Sequence, residues 1–210
     1  MSVNPLSPLP AGASPSPDGR RRSPAAIGVV GLYDWLMAAR SAADPFDRHV
    51  LACVLAAAGS DRPLTEVLGL DPRALERMLT AMFPGAGVLR TLVAIEATAG
   101  EDAVEEPDFR QLLLDGRCNG AEIEEWLACI VVRRSQQPEH LWRSLGLRNR
   151  QELWDMLHRH FPAVAARNVR GMRWKKFFYR EMCHAEGIYV CKSPICDVCP
   201  DFSQCFSGED

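Results

Sequence analysis

Half of the eight cysteines fall in the last twenty residues, in the run Cys191-Lys-Ser-Pro-Ile-Cys196-Asp-Val-Cys199-Pro-Asp-Phe-Ser-Gln-Cys205. The spacing is C-x4-C-x2-C-x5-C, four thiols within fifteen residues. The intervening prolines and aspartates make a tight loop rather than a helix or strand. Thiolates are soft anionic ligands, and four brought together repel one another unless a metal offsets their charge. Short, unequal spacings suit an iron–sulfur cube, which needs ligands on several sides. Proline after a C-x2-C pair, as in Cys199-Pro200, recurs in such loops. A structural zinc ion is smaller and usually takes two C-x2-4-C elbows with a longer gap between them. Two disulfides would require an oxidising compartment. The run favours an iron–sulfur centre, with zinc as the alternative and disulfides behind both.

The segment just upstream carries a second kind of chemistry. Arg167 to Arg180 holds six basic residues in fourteen and no acid. Laid on a helix at ~100° per residue, Arg170, Arg173, Lys176 and Arg180 share one face. Trp174, Phe178, Tyr179 and Met182 fall elsewhere and read as core. The basic face reads either as an ordinary solvated surface or as a docking face for an anion or an acidic partner, kept close to the cysteine loop. Cys183 and His184 end this segment, in reach of a supporting role beside the cluster ligands, although helix-end residues are the plainer reading. No Ser/His/Asp set, phosphate-cradling glycine loop or paired-carboxylate pattern stands out, so catalytic turnover is not indicated.

These residues must be positioned by helices. The chain of 210 residues has 47% hydrophobic and 24% charged residues, a globular mixture. Alanine and leucine, strong helix formers, far outnumber the β-branched residues. The net charge of −3 gives no global pull toward nucleic acid or membrane. No apolar run approaches the ~20 residues of a membrane span. Residues 1–26 are rich in proline and serine and read as a disordered tail. Arg20, Arg21 and Arg22 before the apolar run Ala25–Tyr33 superficially suggest a twin-arginine signal, but Asp34 ends that run and an amphipathic pattern follows. A cytoplasmic location is expected.

An internal repeat organises the rest. Leu51-Ala-Cys53-Val returns as Leu127-Ala-Cys129-Ile, and Leu68-Gly-Leu70 as Leu145-Gly-Leu147. Leu75, Met78-Leu79 and Phe83-Pro84 return as Leu153, Met156-Leu157 and Phe161-Pro162. Expected is an all-α, compact helical bundle over residues 27–190, with a duplicated helix–turn–helix unit (about 47–110 and 122–187) and a cluster-binding loop at 191–206. Cys53 and Cys129 occupy equivalent positions and read as buried structural thiols. His140 reads as a helix N-terminal cap.

The run Arg170-Gly-Met-Arg-Trp-Lys-Lys-Phe-Phe-Tyr-Arg180, the segment His140-Leu-Trp-Arg-Ser-Leu-Gly-Leu147 and the C-x4-C-x2-C-x5-C ending together resemble the NifQ family. The resemblance covers roughly residues 45–206, and its specific part is the last forty or so. It implies an oxygen-sensitive iron–sulfur protein of nitrogen fixation, carrying a 4Fe-4S or 3Fe-4S cluster. It implies that molybdenum, arriving as molybdate or already sulfur-bound, is captured in a molybdenum–iron–sulfur cluster. Delivery would go to the proteins that assemble the nitrogenase iron–molybdenum cofactor, its scaffold and iron protein. Cys191, Cys196, Cys199 and Cys205 would be the ligands. The family's helix around Cys129 often carries another cysteine a few residues on, where this chain reads Val131-Val-Arg-Arg-Ser135. The physics agrees with a carrier: molybdate is a doubly charged oxyanion, drawn to the charge-assisted hydrogen bonds of arginine and lysine.

Two other classes remain as alternatives. One is a zinc-binding helical adaptor. The other is an iron–sulfur DNA glycosylase, because Phe83-Pro-Gly-Ala-Gly-Val-Leu-Arg-Thr91 resembles a helix–hairpin–helix. Val88-Leu-Arg90 stands where that hairpin's catalytic lysine belongs, and Phe-Pro is itself a repeated feature here, so no nucleic-acid partner is expected.

Overall fold

The computed structural model describes residues 29–59, 62–87, 97–185 and 187. The proline-rich tail, the second half of the glycine-rich segment at 83–91 and the cysteine loop lie outside the described residues. Ten helices, and no strand, are present among the described residues. They are α1 (Val29–Ala38), α2 (Pro45–Ala57), α3 (Leu64–Leu68), α4 (Pro72–Met82) and α5 (Glu106–Asp115). The chain continues with α6 (Glu122–Ser135), α7 (Leu141–Ser144), α8 (Arg150–His160), α9 (Pro162–Ala165) and α10 (Trp174–Ala185). The fold is all-α.

Local chemistry explains the helix ends. Asp44 and Asp71 each precede a proline and accept two backbone N–H bonds from the first turns of α2 and α4. Asn149 caps α8 by accepting from Glu152 N–H at 3.0 Å. Helices α4 and α8 stop at Phe83 and Phe161, both fully buried, with φ/ψ of −133°/64° and −131°/52°. Each phenylalanine is followed by proline, which disfavours the α region for the residue before it.

The duplication is realised as reciprocal packing. Helices α2, α3 and α4 correspond to α6, α7 and α8. Helices α3 and α4 of the first half pack on α6 of the second, and α8 packs back on α2. The Leu-Gly-Leu turns make the exchange close. Gly69, at φ +65°, lies against the Cys129 carbonyl and Arg133 of α6. Gly146, at φ +70°, lies against the Cys53 carbonyl and Ala57 of α2. A single core results, with Leu51, Leu68, Leu75, Met78, Leu127, Ile130, Leu153 and Met156 all buried in it. Each half alone would leave its leucine stripe in water, so neither is a self-sufficient unit.

Candidate metal centre and its basic approach

Helix α10 is the described element nearest in sequence to the cysteine loop, and its anchoring is aromatic. Phe178 is fully buried and its ring centroid lies 4.8 Å from that of Phe109 on α5. Trp174 stacks on Phe178 at 5.5 Å and meets Trp154 of α8 at 5.3 Å. The Tyr179 hydroxyl donates to Glu105 Oε1 at 3.0 Å, a buried ring with a polar tip. Phe177 joins Trp174, Phe178 and Tyr179 in the buried set, while Met182 is partly buried against the core. The helix is therefore held over most of its length.

The basic residues are arranged differently from the single helical face that their spacing suggests. The helix begins at Trp174, so only Lys176 and Arg180 lie on it. Arg173 is the residue before the first turn, and Arg170 is exposed in a turn ahead of it. The physical reason lies in Asn168. Its side chain binds both the N–H and the C=O of Met172, and this turn keeps the chain out of helical geometry until Arg173. Arg173, Lys176 and Arg180 are half-buried rather than fully solvated.

Three contacts escaped the sequence reading. Arg173 Nη1 lies 3.4 Å from His140 Nε2. His140 does stand at the N-cap of α7, but its side chain makes no capping hydrogen bond. Lys175 Nζ donates to the carbonyl of Gln137. The His140–Leu147 segment and the start of α10, far apart in sequence, therefore meet at one edge of the bundle. At the other end of α10, Arg180 Nε donates to His184 Nε2 at 3.3 Å, so these two residues do share a face. Cys183 is half-buried in the same last turn and is not among the free thiols. A supporting role for Cys183 and His184 beside the ligands depends on the loop that follows, outside the described residues.

The free thiols among the described residues are Cys53, Cys118 and Cys129. Burial, reinforced by the Glu152 carboxylate, pushes the Cys53 thiol up to about 11. Its sulfur lies 3.7–3.8 Å from both ring nitrogens of His49. Those nitrogens already meet the Tyr33 hydroxyl at 2.8 Å and Glu152 at 3.2 Å. Burial also raises the Cys129 thiol, with Arg110 and Arg133 pulling the other way. Cys129 is half-buried, more open than Cys53. Burial thus disfavours the thiolate form at both sites. Cys118 is exposed.

Next to Cys129 stands an ion cluster that the sequence did not signal. Arg133 forks onto Glu106 at 3.0 and 3.1 Å and reaches Asp102 at 3.0 Å. Burial holds the Glu106 carboxyl above its usual range. Burial also pushes Asp102 upward, but the hydrogen bond and charge of Arg110 outweigh it and leave Asp102 below its usual range. These acids are spent on arginines. Among the described residues no group of three or more His, Cys, Asp or Glu side chains is placed to hold a metal ion.

The four cysteines of residues 191–205, expected from their spacing to hold an iron–sulfur cluster, lie outside the described residues. The NifQ family model matches residues 50–207, from helix α2 through the last of these cysteines. This chain belongs to the NifQ family. A NifQ homolog of Sinorhizobium fredii is 40% identical over 170 residues, which cover 78% of this chain and 74% of the relative. NifQ of Azotobacter vinelandii is 40% identical over 152 residues, covering 68% of this chain and 78% of that one. NifQ of Rhodobacter capsulatus is 36% identical over 147 residues, covering 70% and 79%. No solved structure matches the chain. No helix among the described residues is long and apolar enough to cross a membrane.

Proposed function

We propose that the protein is an iron–sulfur molybdoprotein that captures molybdenum and donates it for biosynthesis of the nitrogenase iron–molybdenum cofactor. It acts in the cytoplasm as a carrier and does not turn over a substrate. The observation that carries this reading is that the family match extends through residue 207 and so takes in both the basic segment and all four loop cysteines. Cys191, Cys196, Cys199 and Cys205 would hold a 4Fe-4S or 3Fe-4S cluster. When bound, such a cluster supplies sulfide and electrons for the exchange of oxygen for sulfur around molybdenum. The cargo arrives as molybdate or sulfur-bound molybdenum and leaves for the cofactor scaffold and the iron protein.

The chain's own residues serve capture. Arg173, Lys176 and Arg180 give the start and middle of α10 three cations, and Arg173 meets His140 at 3.4 Å. Half-buried cations are screened less by salt than exposed ones and attract a dianion more strongly. The aromatic anchoring of Trp174, Phe178 and Tyr179 fixes that edge, so cations and loop start from a rigid base.

The deciding experiment is anaerobic purification followed by iron, acid-labile sulfide, molybdenum and zinc analysis. The expected protein is brown, carries iron and sulfide in cluster stoichiometry, takes up molybdenum and bleaches in air. Colourless protein with one tight zinc per chain overturns the reading in favour of a zinc-bound adaptor.

A further inference from the structure

Among the described cysteines, Cys183 alone is not a free thiol: it is joined in a disulfide. Cys53, Cys118 and Cys129 are free, so its partner is one of Cys191, Cys196, Cys199 and Cys205. The near end of this bond is firmly held. Cys183 is half-buried in the last turn of α10. One turn earlier, buried Tyr179 is tied to Glu105 at 3.0 Å, and the neighbouring Met182 packs on the core. Gly187, at φ +75°, then closes a turn onto the His184 carbonyl at 3.1 Å. The four candidate partners stand 8 to 22 residues beyond Cys183, a range over which the entropic cost of closing a loop grows only slowly. The bond is not a structural staple. Disulfides staple small secreted domains that lack a sufficient core, whereas this chain has one core spanning both halves. In a reducing cytoplasm a disulfide is transient and belongs to redox chemistry. It also excludes a full ligand set, because metal is bound by thiolates and not by disulfide sulfur. The disulfide and a complete four-cysteine centre are therefore alternative states of one loop.

We propose that Cys183 is the resolving thiol of the cysteine loop: when the cluster is lost to oxidation, it captures an oxidised ligand cysteine as a disulfide and so preserves that ligand for rebuilding. The proposal rests on the iron–sulfur reading above and adds a redox step to it. The oxidant is a peroxide. A loop thiolate attacks one peroxide oxygen, the O–O bond breaks, hydroxide leaves and the cysteine becomes a sulfenic acid. The Cys183 thiol then attacks that sulfur; the S–S bond forms, the S–O bond breaks and water leaves. Without Cys183, a second peroxide takes the sulfenic acid on to a sulfinic acid, which thiols do not reduce. Recovery needs a dithiol reductant. One of its thiolates opens the disulfide to a mixed disulfide, and its second thiol closes the reductant into its own disulfide. Cys183 and the ligand cysteine both leave as thiols, and the loop again has four ligands to offer.

The test uses the full-length protein, purified anaerobically with its cluster. One portion is treated with hydrogen peroxide until its colour bleaches. Both portions are then alkylated, digested without reduction and mapped by mass spectrometry. A peptide pair joining Cys183 to a loop cysteine is expected in the bleached portion and not in the loaded one. Cys118, exposed and free, should be in no disulfide in either. The bleached protein is next reduced with dithiothreitol and offered iron and sulfide. Wild type should rebuild most of its cluster. Cys183→Ser, loaded normally before peroxide, should rebuild less than about half, with sulfinic acid on its loop cysteines. The proposal is overturned if bleached wild type lacks the Cys183 pair, or if its loop cysteines pair only with one another. It is equally overturned by full rebuilding in Cys183→Ser, or by a folded Cys183→Ser that holds no cluster before peroxide, which makes Cys183 a ligand instead. The mapping of wild type does not depend on how the variant folds. Failure of the two readings is separable. A wild-type protein that holds zinc in place of iron, yet pairs Cys183 with the loop after peroxide, sinks the carrier reading alone. One that loads cluster and molybdenum but never forms that pair sinks the resolving thiol alone.

Discussion

Leu68-Gly69-Leu70 and Leu145-Gly146-Leu147 are identical tripeptides in the two halves, yet alanine should cost them different amounts. Both glycines have positive φ, +65° and +70°. An alanine there carries about 1–2 kcal/mol of backbone strain at either position. The surroundings then separate them. A Cβ on Gly146 would stand 2.6 Å from the Ala57 methyl and 2.6 Å from the Cys53 carbonyl oxygen. Neither can rotate aside, since both are fixed to the body of α2. Helix α7 would have to back away from α2, and overpacking of this kind typically costs about 1–3 kcal/mol more. A Cβ on Gly69 would meet Arg133 Cβ at 3.2 Å and the Cys129 carbonyl at 3.4 Å, which a shift of a few tenths of an ångström relieves. The expected losses are about 2–5 kcal/mol for Gly146→Ala and about 1–2 kcal/mol for Gly69→Ala. Urea unfolding of the anaerobic protein, followed by far-ultraviolet circular dichroism, measures both. The same retreat of α7 should loosen His140 from Arg173, so molybdenum uptake should fall in Gly146→Ala before the protein unfolds. Equal losses in the two variants, or a larger loss at Gly69, would refute the reciprocal packing derived above.

Further predictions concern ligands, ions and anion capture. Cys196→Ser or Cys199→Ser should abolish stable iron and sulfide binding, while Cys53→Ala and Cys129→Ala should retain it; cluster loss in Cys129→Ala alone would contradict its reading as a structural thiol. With its thiol pushed up to about 11, Cys53 should resist alkylation at neutral pH in the native protein and react only on unfolding, a difference that mass spectrometry records. Arg133→Ala should cost toward the lower end of about 3–5 kcal/mol at pH 7, because it leaves the Glu106 carboxylate, 2% exposed, with the longer 3.8 Å contact to Arg110 in place of its 3.0 Å partner. Glu106 is already raised in the folded protein, so protonation relieves the variant: the gap to wild type should shrink as pH falls through the raised value and widen as pH rises, and unfolding curves across that range would expose the opposite trend. Because Arg173 and Lys176 are half-buried, neutral replacement tests capture better than charge reversal does: Arg173→Gln with Lys176→Gln should lower molybdenum loading at unchanged iron content, and normal loading would return these residues to a structural role.

The helical architecture and its duplication were legible because they rest on local and repeated signals. Asp71-Pro72 caps a helix through its own neighbours, and Phe83-Pro84 and Phe161-Pro162 end helices by a clash within the dipeptide. The repeat exposed equivalent positions without revealing how the halves embrace, because the contact of Gly146 with Cys53 spans more than ninety residues. The same limit applied at the candidate site. The cysteine spacing carries its expected chemistry in the sequence itself, since the candidate ligands are close along the chain. The ion cluster of Arg133, Glu106 and Asp102 left no such mark. Its members come from α6, the start of α5 and the segment before it, and nothing in any one segment distinguishes them from solvated surface charges.

The basic segment shows how a correct periodicity can still mislead. The 3.6-residue pattern does group Lys176 with Arg180, and the aromatic residues do fall into the core. What the pattern could not fix is where the helix begins. That is decided by Asn168, buried and bound to both backbone groups of Met172. An asparagine in a basic run has two outlets for its amide, water or the backbone, and burial to 3% exposure leaves Asn168 the second. Once that amide is buried it must be satisfied, since an unmet donor and acceptor would cost about 1–3 kcal/mol each. The turn follows, Arg170 leaves the helical face, and Val169 is lifted into solvent. One buried amide thus separates a segment that reads as a single cationic stripe into two parts: an anchored edge where Arg173 meets His140, and an exposed turn at Val169 and Arg170.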